Sequence, residues 1–150
     1  MRIVVVSDSH GNSNNLRRAL LNQPSAELVI FLGDGEWDFK HIGTDKPSIA
    51  VRGNCDWGSD LPAFAVTQEK GYTIYCTHGY AENVKYGEER LMERAREYRA
   101  HIALYGHTHN PVTKYEDGLW LVNPGSIYDG NYAVIDLTEK GIMPILMKVR

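Results

Sequence analysis

Cysteine is scarce in this chain. Cys55 and Cys76 are the only two, too few for a disulfide framework, so both thiols are expected to be free and the fold must rest on its core. Long apolar runs are missing too. None approaches the roughly 20 residues that a bilayer-spanning helix needs, so no membrane partner is expected. The opening Met1-Arg2-Ile3-Val4-Val5-Val6 reaches Ser7 and Asp8 after too few apolar residues for the h-region of a signal peptide, and a cytoplasmic location is the expectation. Positive charge is not in excess: 16 Lys and Arg face 19 Asp and Glu, for a net charge of −3. No global field draws the chain to nucleic acid or anionic lipid, although a small phosphate substrate stays open. Repeats, low-complexity tracts and Pro/Gly/Ser linkers are absent as well, so residues 1–150 are expected to form one domain. What is present is ordinary for one globular core, with 43% hydrophobic and 23% charged residues.

The pattern of apolar residues predicts the elements. Ile3–Val6 is a β-branched run that reads as a buried strand. A helix is predicted from about Asn14 to Leu21, with Leu16, Ala19, Leu20 and Leu21 as its apolar positions, Asn12 or Ser13 as its cap and Pro24 as its stop. Strands follow at Leu28–Leu32, Ile49–Val51, Tyr72–Cys76 and Ile102–Tyr105, with a helix over Glu88–Arg99 whose Leu91, Met92, Ala95 and Tyr98 share a face. The last third changes character. Val112–Tyr115 and Leu119–Val122 flank the hairpin signal Asp117-Gly118, and Tyr132–Leu137 and Ile142–Val149 follow as antiparallel strands. Alternation followed by hairpins predicts an α/β arrangement of sheets flanked by helices.

The polar residues fall with one regularity. Ile3–Val6 leads to Asp8 and His10, and Leu28–Leu32 leads through Gly33 to Asp34. Ile49–Val51 leads through Gly53 to Asn54, Tyr72–Cys76 to His78, and Ile102–Tyr105 through Gly106 to His107 and His109. The carboxyl ends of parallel strands share one edge, where ligand sites form, so these side chains are expected to converge on one cleft. Glycines beside the candidates permit sharp strand exits and close backbone approach. Four of the six histidines sit at such exits; His41 and His101 match no pattern and read as surface or packing residues. Carboxylate with imidazole suits Mn, Fe, Co, Ni or Zn. Two such ions roughly 3.5–4 Å apart can clamp the attacking and leaving oxygens of an in-line displacement, with a bridging hydroxide as nucleophile. Singly, each block has a plainer reading: Asp8 a helix cap, Asp34 and Asn54 turn formers, His107-Thr108-His109 a polar turn. Only the set points to metal.

Taken in order, Asp8-Ser9-His10, Gly33-Asp34, Gly53-Asn54-Cys55-Asp56, His78-Gly79, Gly106-His107-Thr108-His109 and Asn123-Pro124-Gly125-Ser126 resemble the calcineurin-like metallophosphoesterase superfamily, in particular its small uncapped phosphodiesterases. The resemblance covers nearly the whole chain. It implies two packed mixed β-sheets with helices outside, a four-layer metallophosphoesterase fold. It also implies two divalent ions, with Mn the expected metal and Ni, Fe, Co or Zn as alternatives. Asp8, His10, Asp34 and His109 would hold one; Asp34, Asn54, His78 and His107 would hold the other, Asp34 bridging. Asp34, Asn54, Cys55 and Asp56 are the residues implied in catalysis, Asp56 by orienting the site from behind. Many members carry His where this chain has Cys55, and a thiol is a weaker donor than imidazolium, so preference for good leaving groups is expected.

The leading reading is therefore a dinuclear phosphodiesterase acting on a small phosphate ester. Two others stand beside it. One is a non-catalytic scaffold on the same fold, as in a eukaryotic retromer subunit; the other is a phosphomonoesterase or nucleotide phosphatase. The sequence leaves the substrate open, along with a homodimeric state. Trp37, Trp57 and Tyr128 are either cleft-lining or packing aromatics, and Arg52 either contacts phosphate or makes a structural ion pair.

Overall fold

The computed structural model describes residues 1–150. Ten strands form two five-stranded sheets. The first contains β1 (Arg2–Val6), β2 (Leu28–Phe31), β3 (Ser48–Ala50), β9 (Asn131–Thr138) and β10 (Gly141–Lys148), in the order β10-β9-β1-β2-β3. The second contains β4 (Phe64–Glu69), β5 (Tyr72–Thr77), β6 (Ile102–Leu104), β7 (Val112–Glu116) and β8 (Leu119–Asn123), in the order β4-β5-β6-β8-β7. Both are mixed. β1, β2 and β3 run parallel, as do β5, β6 and β8, while β9, β10, β4 and β7 pair antiparallel. Helices α1 (Ser13–Leu21), α2 (Glu36–Ile42) and α3 (Glu89–Glu97) complete the elements, with 3-10 turns at Val84–Tyr86 and Ile127–Asp129.

The two-residue period of the strands assigns the layers. Ile3, Val5, Leu28, Ile30 and Leu32 meet Ile74, Cys76, Ile102, Leu104 and Val122 between the sheets. The intervening Val4, Val6, Val29 and Phe31 pack on Leu16 and Ala19 of α1. On the far side, Tyr75, Ala103 and Leu121 pack on Leu91 and Ala95 of α3. The result is helices, sheet, sheet, helix. Such fully buried strands read as unbroken apolar runs, and for that reason they were predictable.

Helix α1 is capped by Asn12, whose side chain accepts from the Asn15 backbone N–H at 3.1 Å. Two elements escape the apolar pattern. Helix α2 has only Phe39 and Ile42 packed on the core and leaves Trp37 exposed. Strand β4 pairs only with β5, so it is an edge strand, and it alternates half-buried with exposed residues. No helix is long and apolar enough to cross a membrane.

Candidate metal centre

Strands β1, β2 and β3 end on the same edge of the first sheet, and β5 and β6 on the same edge of the second. The loops leaving them are tied together by the backbone, Asp8 N–H to Gly33 O at 2.9 Å and His10 N–H to Asp34 O at 3.1 Å. Six predicted side chains gather there in two groups. The ligand atoms of Asp8, His10 and His109 lie within 4.8 Å of one another, and so do those of Asp34, His78 and His107.

Each carboxylate divides its oxygens between protein and site. Asp8 Oδ2 accepts from Ser7 Oγ and from the His107 backbone N–H. Its Oδ1 faces His109 Nε2 at 3.2 Å and His10 Nε2 at 3.5 Å. Asp34 Oδ1 accepts from the Cys55 backbone N–H at 2.8 Å. Its Oδ2 lies 3.2 Å from His78 Nε2 and 3.8 Å from His10 Nε2, so one oxygen stands between the two groups.

His78 supplies a direct test of whether this donor set suits a metal. Its Nδ1 contacts the Leu32 carbonyl at 2.7 Å, which fixes Nδ1 as the donor and leaves the Nε2 lone pair free. That Nε2 is buried without a hydrogen-bond partner. The Asp34 oxygen is within ion-pair distance but out of hydrogen-bond alignment. Two acceptor atoms thus face a common point, and beside them His10 Nε2 lies 3.3 Å from His109 Nε2. A cation between them relieves both arrangements, and N and O donors together suit a transition-series divalent ion.

In the metal-free site, the carboxylates favour a proton on His78, which a metal ion would displace. Burial works against the Asp34 charge, but His78, the Cys55 N–H and His10 outweigh it and hold the carboxyl at about 2. Burial likewise opposes a charged His78, yet the Asp34 and Asp8 carboxylates and the Leu32 carbonyl raise its pKa. Burial first, then His78 and Lys85, lowers that of His107.

Asn54 lines small clefts with His78 on one side and His107 on the other, and its amide nitrogen lies 3.6 Å from Cys55 Sγ. The Cys55 thiol is exposed, and burial together with the Asp34, Asp56 and Asp8 carboxylates raises its pKa, so it is a neutral group at pH 7. Asp56 stands one step back and touches no imidazole. Its carboxylate accepts from four backbone N–H groups, those of Asp34, Gly35, Glu36 and Gly53, at 2.8–3.0 Å. It also caps α2, whose N-cap residue Gly35 makes no side-chain cap bond.

The remaining sequence candidates are also placed. Arg52 donates to the Leu61 carbonyl at 2.8 Å. His41 stacks on Trp37, and His101 accepts from the Thr73 N–H. Cys76 is core, its thiol pushed to about 12 by burial. Trp37 and Trp57 are exposed beside Cys55, and Tyr128 is exposed on the 3-10 turn that follows Ser126. A cavity of ≈ 640 Å³ between α1 and the Ile42–Lys46 segment contains none of the candidate ligands; chemistry rather than size identifies the site.

Three side chains support these loops from behind. Buried Asp38 accepts from Ser9 Oγ, the Gly11 N–H and Ser13 Oγ, holding the Asp8–His10 loop. Buried Asn123 donates to Gly106 O and Thr108 Oγ1, holding the His107–His109 loop. Ser126 Oγ donates to the Asp8 carbonyl. Asn123 and Ser126 belong to the last block of the family resemblance, whereas nothing in the sequence pointed to Asp38.

Residues 1–140 match the calcineurin-like phosphoesterase superfamily domain, and the chain belongs to that superfamily. It is 30% identical over 128 residues to the probable metallophosphoesterase YsnB of Bacillus subtilis, covering 85% of this chain and 75% of the relative. It is 26% identical to the phosphodiesterase YfcE of Escherichia coli, over 97% of this chain and 91% of that one. The structure of a predicted phosphoesterase from Streptococcus pneumoniae superposes with a TM-score of 0.82 at 28% identity, covering 98% of this chain and 88% of that chain. The expected fold of two mixed sheets with flanking helices is the one observed.

Proposed function

We propose that residues 1–150 form a single catalytic domain that hydrolyses phosphodiesters with two divalent ions, Mn foremost. The class, metal-dependent hydrolysis of phosphoric esters, follows from family membership and the metal-ligand groups; the dinuclear mechanism and the diester preference are the proposal. One observation carries it: Asp34 Oδ2 stands between an imidazole of one group and an imidazole of the other.

Asp8, His10, Asp34 and His109 would hold one ion, and Asp34, Asn54, His78 and His107 the other. Bound there, the pair would supply an activated hydroxide and stabilise negative charge on the phosphoryl oxygens. The chain's own residues prepare that step. Asp8 Oδ1 is aimed inward because Ser7 and His107 N–H occupy Oδ2. His78 offers Nε2 because Leu32 O occupies Nδ1. Asn54 contributes its side-chain oxygen. The neutral Cys55 thiol is a weak donor to a departing oxygen, which favours substrates whose leaving group departs without help.

Protein stripped by chelator and reloaded with Mn or Ni is expected to bind two ions per chain by calorimetry and to cleave bis(p-nitrophenyl) phosphate. Asp34→Asn should abolish turnover. Robust hydrolysis by the stripped protein would refute the two-metal mechanism. The scaffold reading is the weaker alternative, because no expected ligand is missing from the chain.

A further inference from the structure

Next to the metal centre, the segment from Tyr80 to Arg90 walls a cleft of ≈ 630 Å³ whose inner side is Asn54 and His107. That volume falls within the roughly 300–1,000 Å³ of small-ligand sites. The segment is rigidly seated. Glu82 is buried, accepting from Tyr75 Oη at 2.8 Å and Thr77 Oγ1 at 3.0 Å. Val84 is buried against Gly79, where an added Cβ would come within 2.7 Å of its methyl group. With these two pinned inward, Lys85 and Tyr86 are turned out to line the opening.

The lining has a distinct chemistry. Tyr80 is 62% exposed and Tyr86 87% exposed, and Tyr80 stands edge-on to His107 with centroids 5.5 Å apart. Lys85 and Arg90 supply two positive charges, and no carboxylate lines the cleft. Neither cation is paired, since the ion pairs of lysine and arginine in this chain use Arg2, Lys40 and Lys114. A chain of net charge −3 thus presents a local cationic, aromatic wall beside its reaction centre. The cleft on the other side of Cys55 differs. Its tryptophans share the space with Glu36, Asp56 and Asp60, and its Lys40 is paired with Glu36, so it repels further negative charge.

We propose, resting on the phosphodiesterase reading above, that the Tyr80–Arg90 cleft is a subsite for a nucleotide that carries a second phosphate beyond the scissile one. The base packs on the tyrosines, as bases do on aromatic side chains, and the second phosphate meets Lys85 and Arg90. The second phosphate can come from an oligonucleotide end or from a polyphosphate chain, and the test separates these sources.

With Mn-loaded protein, KM is compared for the p-nitrophenyl ester of thymidine 5'-phosphate with and without a 3'-phosphate, and for diadenosine tetraphosphate. The 3'-phosphate is expected to lower KM roughly tenfold, as two charge-assisted contacts permit. In a Lys85→Met/Arg90→Met double variant that ratio should fall to near one, and Tyr86→Ala should raise KM for both thymidine esters relative to bis(p-nitrophenyl) phosphate. Selectivity for the 3'-phosphorylated ester assigns the oligonucleotide type; low KM confined to diadenosine tetraphosphate, and lost in the double variant, assigns the polyphosphate type. Equal KM values throughout, with bis(p-nitrophenyl) phosphate still cleaved, would overturn the subsite and leave the phosphodiesterase reading standing. Should no phosphoester be cleaved, that reading fails instead. The subsite is then decided by calorimetry on metal-free protein: thymidine 3',5'-bisphosphate bound by the native chain but not by the double variant supports it, and equal binding by both sinks it.

Discussion

Replacing Asp56 with asparagine changes one carboxylate oxygen to an amide nitrogen at nearly constant shape. Each oxygen now accepts two backbone N–H groups: Oδ2 those of Asp34 and Gly53, Oδ1 those of Gly35 and Glu36. Whichever position receives the amide nitrogen, two hydrogen bonds become donor–donor contacts. A hydrogen bond to a charged group contributes about 1.5–3 kcal/mol, and an unsatisfied donor costs a comparable amount. Because the Asp56 side chain is only half-buried and water reaches part of it, we take the low end and expect a loss of about 3 kcal/mol. With an unfolding entropy of about 2.1 cal/mol/K per residue, that lowers Tm of this 150-residue chain by roughly 10 °C. The same bonds fix the Asp34 and Gly53-Asn54 loops relative to each other, so Mn affinity should fall by about 10- to 100-fold. Thermal unfolding of metal-free protein reads the first effect and calorimetric titration with Mn the second. A variant that melts within about 2 °C of the native chain, or binds Mn equally well, would show that these four contacts do not organise the site.

Three further outcomes follow from the same geometry. In metal-free protein, the lowered Asp34 pKa gives stability that is present above 3.8 and lost as pH falls toward about 2, while the raised His78 pKa gives stability present below 6.5 and lost as pH rises through its folded value. Tm against pH should therefore be highest between these limits, and Mn binding near pH 6.5 should release a proton from His78, with activity falling in mild acid; a Tm that climbs steadily to pH 8 contradicts the first part. Cys55→His should speed cleavage of alkyl phosphodiesters, on the order of tenfold or more, by supplying a better proton donor; an unchanged or lower rate counts against a leaving-group role at this position. His10 has φ +43°, so His10→Gly should unfold about 1 kcal/mol later than His10→Ala while both lose metal affinity; equal stabilities would mean that the backbone there is not strained.

The strands that set up the centre were readable because β1, β2, β5 and β6 are buried on both faces, and each announces itself as an apolar run ending in a polar residue. Boundaries moved by a residue or two, as at Leu32, which lies beyond β2, and Val51, which lies beyond β3. Helix α2 could not be read from its own residues, since its N-terminus is held by Asp56, 20 residues further along the chain. The cationic cleft was hidden for a related reason. Arg90 looks like one more charge on the solvated face of α3, and only the seating of Glu82 and Val84 turns Lys85 and Tyr86 toward the same opening.

The backbone of the site explains why its supports are polar and buried. Asp8, His10, Asp34, His107 and His109 all have φ between +43° and +69°, a left-handed conformation that costs an ordinary residue about 1–2 kcal/mol. Five such residues cannot persist in free loops. Each loop is therefore held by a side chain with nearly saturated hydrogen bonding: Asp38 under Asp8–His10, Asp56 under Asp34, Asn123 under His107–His109. The glycines complete the arrangement by letting the loops touch. A Cβ on Gly53 would lie 2.1 Å from Asp34 Oδ1, and one on Gly106 would lie 2.2 Å from Ser7 Oγ. Strain of this kind is found where a structure must present several like groups to one point. Here it presents carboxylates and imidazoles to one place, an arrangement suited to holding a metal cation.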